Sequence, residues 1–141
     1  MGVNNPNFPN EVKSETSAIQ YLGAVVNAQR LGLYNNLTGS PTITAAQMVG
    51  GAAAVAGGTT ATATTDTAAN IITRMGVVAP GATTGSTSSF RLINDNSGVL
   101  TLAGGVGVTI VGTDVNKIAA GSNRGYVITI TGASTVTLTA M

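Results

Sequence analysis

The sequence predicts a mainly β fold: an antiparallel sandwich or jelly-roll-like barrel with one or two short helices, preceded by an N-terminal arm. The first observation is that residues 89–141 form short runs of β-branched and aromatic residues separated by Gly, Asn, Asp and Ser. This pattern is typical of consecutive antiparallel strands. The second is alternation, because Tyr126, Ile128 and Ile130 fall on one side of a strand and Val127 on the other. The third is a composition of 43% hydrophobic but only 4% aromatic residues, which suits an aliphatic core.

Charge is the unusual feature of the composition. Charged residues make up 8% of the 141 residues, whereas soluble domains average about 25%. The net charge is +1 and the basic residues are scattered, which argues against nucleic-acid binding through phosphates. With so few charged residues, a monomer would have too little charged surface in contact with water. We therefore predict that the chain buries surface against copies of itself, as a homo-oligomer, or against a larger assembly.

Residues 1–40 are predicted to form an arm that differs from the rest of the chain. Residues 1–10 contain two prolines and four asparagines, which favour extended or irregular backbone. Residues 11–31 have helical periodicity, with Ser14 as the N-cap, Glu15 in the first turn and Gly32 as the stop. Residues 33–40 have the composition of a linker.

The apolar stripe of this predicted helix has two interpretations. It packs either on its own domain or on a partner. For the second case, the predicted partner-binding side chains are Phe8, Val12, Ile19, Leu22 and Val26.

The β domain is predicted to cover residues 41–141 and to begin with two short helices and a hairpin. Thr44 is the expected cap of a helical turn that ends at residues 50–51. Residues 52–56 and 59–64 flank Gly57 and Gly58, which suggests a hairpin of small residues. Asp66 is the expected cap of a second helix over residues 67–75.

The remaining strands are predicted at residues 89–94, 99–102, 106–111, 125–131 and 134–139, with a linker at 115–123. Alternation within these strands assigns one side of each to the core. The predicted core residues are Phe90, Leu92, Leu100, Leu102, Val108, Ile110, Ile128, Ile130, Val136 and Leu138.

No residue pattern indicates an enzyme, a cofactor or a metal site. The chain has no His and no Cys, and its five carboxylates suit helix starts and turns. The glycines around Val106 precede strand-like residues rather than a helix, so they predict a turn and not a dinucleotide loop. The group Asn94, Asp95 and Asn96 has too few acidic ligands for calcium and also predicts a turn.

Nothing in the sequence suggests a membrane protein. Residues 1–10 lack the basic start and apolar core of a signal peptide. The apolar run at residues 45–58 is too short and too rich in glycine to span a bilayer.

Five segments resemble a module of tailed-bacteriophage virion proteins, particularly small capsid decoration (cement) and head-fibre proteins. They are ITAAQMVGG at 43–51, TDTAA at 65–69, FRLIN at 90–94, LTLAGGVGVTIVGT at 100–113 and AGSNRGYV at 120–127. The resembling block extends from residue 43 to the C-terminus, about two-thirds of the chain. The resemblance implies a mainly β trimer on the capsid exterior, assembled in the host cytoplasm, with the major capsid protein as partner and no catalytic residues.

The sequence therefore predicts a non-enzymatic virion structural protein that decorates and stabilises a capsid. A head-fibre or tail adaptor is one alternative. A host-glycan-binding β-module is another, and it requires exposed aromatic residues. The chain has no Trp, two Phe and three Tyr, which weighs against the glycan-binding alternative.

Overall fold

The computed structural model describes residues 34–141, which form a mainly β structure with two short helices. The predicted fold class is confirmed at this level. The strands are β1 Tyr34–Thr38, β2 Thr42–Ile43, β3 Ala52–Ala56, β4 Ala61–Thr65, β5 Thr87–Asp95, β6 Leu100–Ala103, β7 Val108–Val111, β8 Lys117–Ile118, β9 Asn123–Gly132 and β10 Thr135–Ala140. The helices are α1 Ala45–Met48 and α2 Ala68–Val78.

The strands form two sheets, and the chain alternates between them. One sheet has six strands in the order β1-β3-β5-β9-β10-β7, and the other has four in the order β2-β4-β6-β8. From β1 to β9, each strand lies in the opposite sheet from the strand before it. Among the described strands, only β9 and β10, which form a hairpin, are consecutive and lie in the same sheet. Every other pair of neighbouring strands in a sheet is therefore formed by strands that are not consecutive in the sequence.

This alternation makes both sheets mixed, so the expectation of purely antiparallel strands is wrong. The pairs β1/β3, β3/β5, β2/β4, β4/β6 and β7/β10 are parallel. The pairs β5/β9, β9/β10 and β6/β8 are antiparallel. The physical reason is that a crossover through the other sheet can return the chain in its original direction, whereas a tight hairpin reverses it.

The predicted hairpin of small residues is also corrected. Both of its strands exist, as β3 and β4, but β3 belongs to the six-stranded sheet and β4 to the four-stranded one. Gly57 has a φ of 86°, and its turn carries the chain from one sheet to the other. A glycine turn between two strand-like runs indicates a change of direction but not which strands become neighbours.

Two segments predicted as linkers contain strands. Residues 34–38, in the predicted linker of the arm, form β1 and pair in parallel with β3. Lys117–Ile118 forms β8 and pairs with β6, which buries Ile118. Their composition is weakly β-forming, and their pairing comes from the neighbouring strand rather than from local propensity.

Side chains from both sheets and both helices meet in one hydrophobic core. Eight of the ten predicted core residues are buried. The other two, Val108 and Ile110, are half-buried and pack against the core. They lie on β7, an edge strand of the six-stranded sheet, so a neighbouring strand covers them on one side only.

The two helices begin with side-chain caps. Thr44 is the N-cap of α1, as predicted, and forms a capping box in which its backbone N–H donates to Gln47 Oε1 at 2.8 Å. Helix α2 is capped by Thr67 rather than by Asp66. Asp66 lies one residue earlier, and its carboxylate accepts hydrogen bonds at the starts of both helices.

The five predicted partner-binding side chains, Phe8, Val12, Ile19, Leu22 and Val26, lie outside the described residues. So does most of the predicted arm of residues 1–40. Their role in binding a partner remains a prediction.

Candidate interaction surface

A surface of threonine, serine and valine runs across four strands of the six-stranded sheet, on the side facing away from the core. Strand alternation places it there, because Ile128, Ile130 and Leu138 point into the core. Strand register brings together a first row of four residues, in which Thr137 lies opposite both Thr109 and Thr129. Thr129 in turn lies opposite Thr87.

A second row lies beside the first. In this row Thr139 pairs with Val111 and with Val127, and Val127 pairs with Ser89. We call the two rows together the threonine face, and none of its eight residues is charged. Its exposed members are Thr87, Ser89, Thr109, Val111 and Thr139, and its half-buried members are Val127, Thr129 and Thr137.

The chemistry of the threonine face suits burial against another protein surface. Neighbours across the strands lie about 4.5–5.5 Å apart, so methyl and hydroxyl groups alternate closely over the surface. Burying uncharged hydroxyls that find hydrogen-bond partners costs much less than burying charges. β-branched side chains are already restricted at χ1, so they lose little conformational freedom when a partner covers them.

A charged residue lies just beyond the threonine face on β5. Arg91 pairs with Gly125 across the strands, and its Nη1 donates to Asn123 Oδ1 at 2.8 Å. Asp95 is exposed at the end of the same strand. The uncharged surface therefore covers the first part of β5 and stops at Arg91.

The glycine-rich segment around Val106 is a turn between β6 and β7, as predicted. Gly105 N–H donates to Thr65 Oγ1 at 2.8 Å, and a Cβ on Gly105 would lie 2.5 Å from Thr65 O. Gly107 has a φ of 78°, which favours glycine. The turn carbonyl of Val106 accepts from Ala68 N–H at 2.9 Å, at the start of α2. The Val106 side chain is left 82% exposed, next to the edge strand β7.

The carboxylate of Asp66 joins the starts of the two helices. Its Oδ2 accepts from Ala45 N–H at 2.8 Å, and its Oδ1 accepts from Thr67 N–H at 2.8 Å and from Asn70 Nδ2 at 2.7 Å. Burial raises the pKa of this carboxyl, but the hydrogen bonds from Asn70, Ala45 and Thr67 outweigh burial and lower the pKa below its usual value. The role of the Asp66 carboxylate is therefore structural: it connects the starts of the two helices.

Asn94 lies near the end of β5 and Asn96 just after it, and their side chains are buried hydrogen-bonding groups. Asn94 Nδ2 donates to Gly98 O and Ile118 O, both at 2.8 Å. Asn96 Nδ2 donates to Val55 O at 3.1 Å, and its Oδ1 accepts from Gly58 N–H at 2.9 Å. These bonds hold the β3–β4 connection, the β5–β6 connection and strands β3 and β8 to the end of β5. This role could not be predicted from the sequence, because its only signal is two polar residues at alternate positions, one on the core side of β5 and one just after that strand.

Phe90 and Tyr126 are core residues rather than surface aromatics. Their rings stack with centroids 5.2 Å apart, and both residues are buried. Tyr126 OH donates to Val115 O at 2.7 Å. Burial raises the pKa of Tyr126 to about 12, although the nearby Arg124 charge lowers it. Neither ring is available to stack on a sugar.

Within residues 34–141, no group of three or more acidic, His or Cys side chains is placed to hold a metal ion. Asp114 forms an exposed ion pair with Lys117 at 3.1 Å. Neither helix of this described part is long and apolar enough to cross a membrane.

Comparison of the chain with protein-family models gave no match. Comparisons with curated proteins and with solved structures likewise gave no significant match.

Proposed function

We propose that the protein is a non-enzymatic structural protein of a virion: a capsid decoration, or cement, protein that binds the outer surface of the shell. The threonine face is the observation that carries this proposal. It is an uncharged surface on a hydrogen-bonded sheet, and it suits burial against another protein. The sequence resemblance to phage decoration and head-fibre modules supplies the kind of partner, the major capsid protein.

The mechanism is bridging. A copy that contacts two neighbouring shell subunits binds the assembled shell more tightly than a free subunit. By mass action it therefore stabilises the assembled state. A homotrimer presents three equivalent faces, and each contact raises the effective concentration of the next. Because the face lies on paired strands rather than on loops, little backbone order is lost when it binds.

Shell binding can be tested with one charge on the threonine face. Thr139 is exposed there, and Thr139→Lys would place an ammonium group in the contact. We expect it to weaken binding to undecorated shells by about 100-fold, because the charge is desolvated without a partner. The matched control is Thr62→Lys, an exposed threonine on β4 of the other sheet, which should bind like the wild type.

Co-sedimentation of each purified protein with undecorated shells measures this difference. Equal binding by the two lysine variants would show that the threonine face is not the contact. Sedimentation equilibrium of the wild type tests the proposed trimer, and a monomer at micromolar concentration would contradict it.

A head-fibre or tail adaptor remains the second candidate, because the same face would serve it equally. Imaging of the bound protein on virions separates the two, since a cement protein covers the capsid lattice and an adaptor occupies vertices or the tail. The glycan-binding alternative receives less support, because Phe90 and Tyr126 are buried. A glycan array tests it directly.

A further inference from the structure

An open pocket lies between the C-terminal end of α2, the turn that follows it and the start of β5. Its volume is about 360 Å³, within the range of about 300–1,000 Å³ that ligand pockets occupy. Val49, Met75, Val78, Pro80 and Ala82 supply apolar walls, and no charged residue lines it. Val49 and Met75 are buried, so the floor of the pocket is part of the core.

One edge of this pocket is a strand segment without a neighbour. Even-numbered residues of β5 face β9, in continuation of Ser86 just before the strand, whose carbonyl accepts from Ile130 N–H at 3.0 Å. Odd-numbered residues face β3, as when Arg91 N–H donates to Gly51 O at 3.1 Å. Strand β3 begins at Ala52, opposite Arg91, and Gly50 N–H, just before it, donates to Ser89 O at 2.9 Å. The described contact on this side therefore reaches Ser89, and β3 stops short of Thr87.

Thr87 is the residue left at that edge. Its backbone N–H and C=O point toward the side where β3 would continue, and no strand of residues 34–141 pairs with Thr87 on that side. The residue is exposed and lines the pocket. A polypeptide strand placed beside Thr87 would satisfy both groups.

From these two features we infer that the pocket and the Thr87 edge form a binding site for an extended peptide segment that carries one apolar side chain. Such a segment would add to the sheet beside Thr87 and place its apolar side chain in the pocket. Ser86 and Ser88 line the pocket. A paired residue opposite one of them therefore projects to the same side. The identity of the segment as part of a shell protein rests on the proposed function, whereas the site itself does not.

The test is an NMR titration of the full, isotope-labelled chain with a capped pentapeptide. The peptide has leucine at its central position and threonine at the other four. A short flexible peptide should bind with a dissociation constant of about 1 mM. We expect chemical-shift changes at Thr87, Ser88 and Val78. Thr87→Pro removes the unpaired N–H while leaving the β5–β9 hydrogen bonds intact, and proline is tolerated at the first residue of a strand.

Thr87→Pro should weaken peptide binding by about tenfold, the loss expected for one hydrogen bond. Thr87→Ala keeps the N–H and should weaken binding by less than about twofold. Ala82→Leu, which fills the pocket from the turn, should abolish binding and provides a second variant if the proline perturbs the fold. Absence of shift changes at millimolar peptide, or wild-type binding by Thr87→Pro or Ala82→Leu, would overturn the inference. Thr139 does not line the pocket. Equal shell binding by Thr139→Lys and Thr62→Lys would therefore contradict the proposed function without bearing on the peptide site.

Discussion

The two sides of strands β9 and β10 have opposite character. One side presents Ile128, Ile130, Val136 and Leu138, which are buried in the core. The other presents the threonines and valine of the threonine face, all of them exposed or half-buried. The same backbone hydrogen bonds support both sides. The fold therefore depends mainly on the core side, so substitutions on the two sides should have separable effects.

The largest effect should come from the core side. Ile128 is fully buried, and Ile128→Ala should cost about 2–5 kcal/mol of unfolding free energy through lost burial and a residual cavity. Thr129→Ala, on the next residue and the opposite side, should cost less than about 1 kcal/mol. Denaturant unfolding of both variants measures the contrast. Equal destabilisation would contradict the assignment of the two sides.

The turn beside edge strand β7 should be the next most sensitive place. A Cβ at Gly105 would lie 2.5 Å from Thr65 O and 2.6 Å from Asp66 O, so Gly105→Ala should cost about 1–3 kcal/mol through forced backbone shifts. Gly76 in α2 has nothing within 4 Å of an added Cβ. Gly76→Ala should therefore stabilise the protein by up to about 1 kcal/mol. If Gly105→Ala melts at the wild-type temperature, the turn is not packed as described.

Asp66, at the starts of the two helices, should make the stability of the protein sensitive to acid. The pKa of Asp66 is lowered in the folded state from a usual value of 3.8. Its contribution to stability is therefore present above that value and is lost as pH falls through the lower folded pKa. Asp66→Asn should cost about 1–2 kcal/mol at neutral pH, because it weakens hydrogen bonds to a charged group, and should flatten the acid limb of a stability profile. Parallel profiles for the two proteins below pH 4 would refute this role.

The smallest effect on stability is expected on the threonine face. Thr139 is exposed, so Thr139→Lys should change the unfolding free energy by less than about 0.5 kcal/mol, although we expect it to lose shell binding. Thermal melts beside the co-sedimentation assay show whether the two properties separate. A large drop in melting temperature would mean that the face also contributes to the fold.

Much of the local structure could be predicted from the sequence. The alternation in residues 125–139 predicted which side chains are buried, and Thr44 was predicted as a helix cap. The pairing of strands within the sheets could not be predicted. The sequence Gly57–Gly58 is equally compatible with a hairpin turn and with a connection to another sheet. Propensity and periodicity describe one strand at a time, and they carry no information about its neighbour.

The threonine face shows the same limit. Thr129 and Thr137 could be assigned to one side of a hairpin from alternation alone. Thr87 and Thr109 join them only through the pairings of β5 with β9 and of β7 with β10. Those pairings connect residues far apart in sequence. The surface therefore becomes visible only when strand register is known.

The alternation of the chain between the two sheets also has a kinetic consequence. Strands β9 and β10 are the last described strands in sequence, yet they lie between β5 and β7 in the six-stranded sheet. Most contacts within each sheet therefore close long loops, a topology that folds slowly, on the millisecond-to-second scale of about 10⁻³–1 s. The edge of β5 that faces away from β3 is unpaired until β9 has been added to the sheet. Stabilising the β9–β10 hairpin should therefore speed folding if it forms early in the rate-limiting step, and should otherwise mainly slow unfolding.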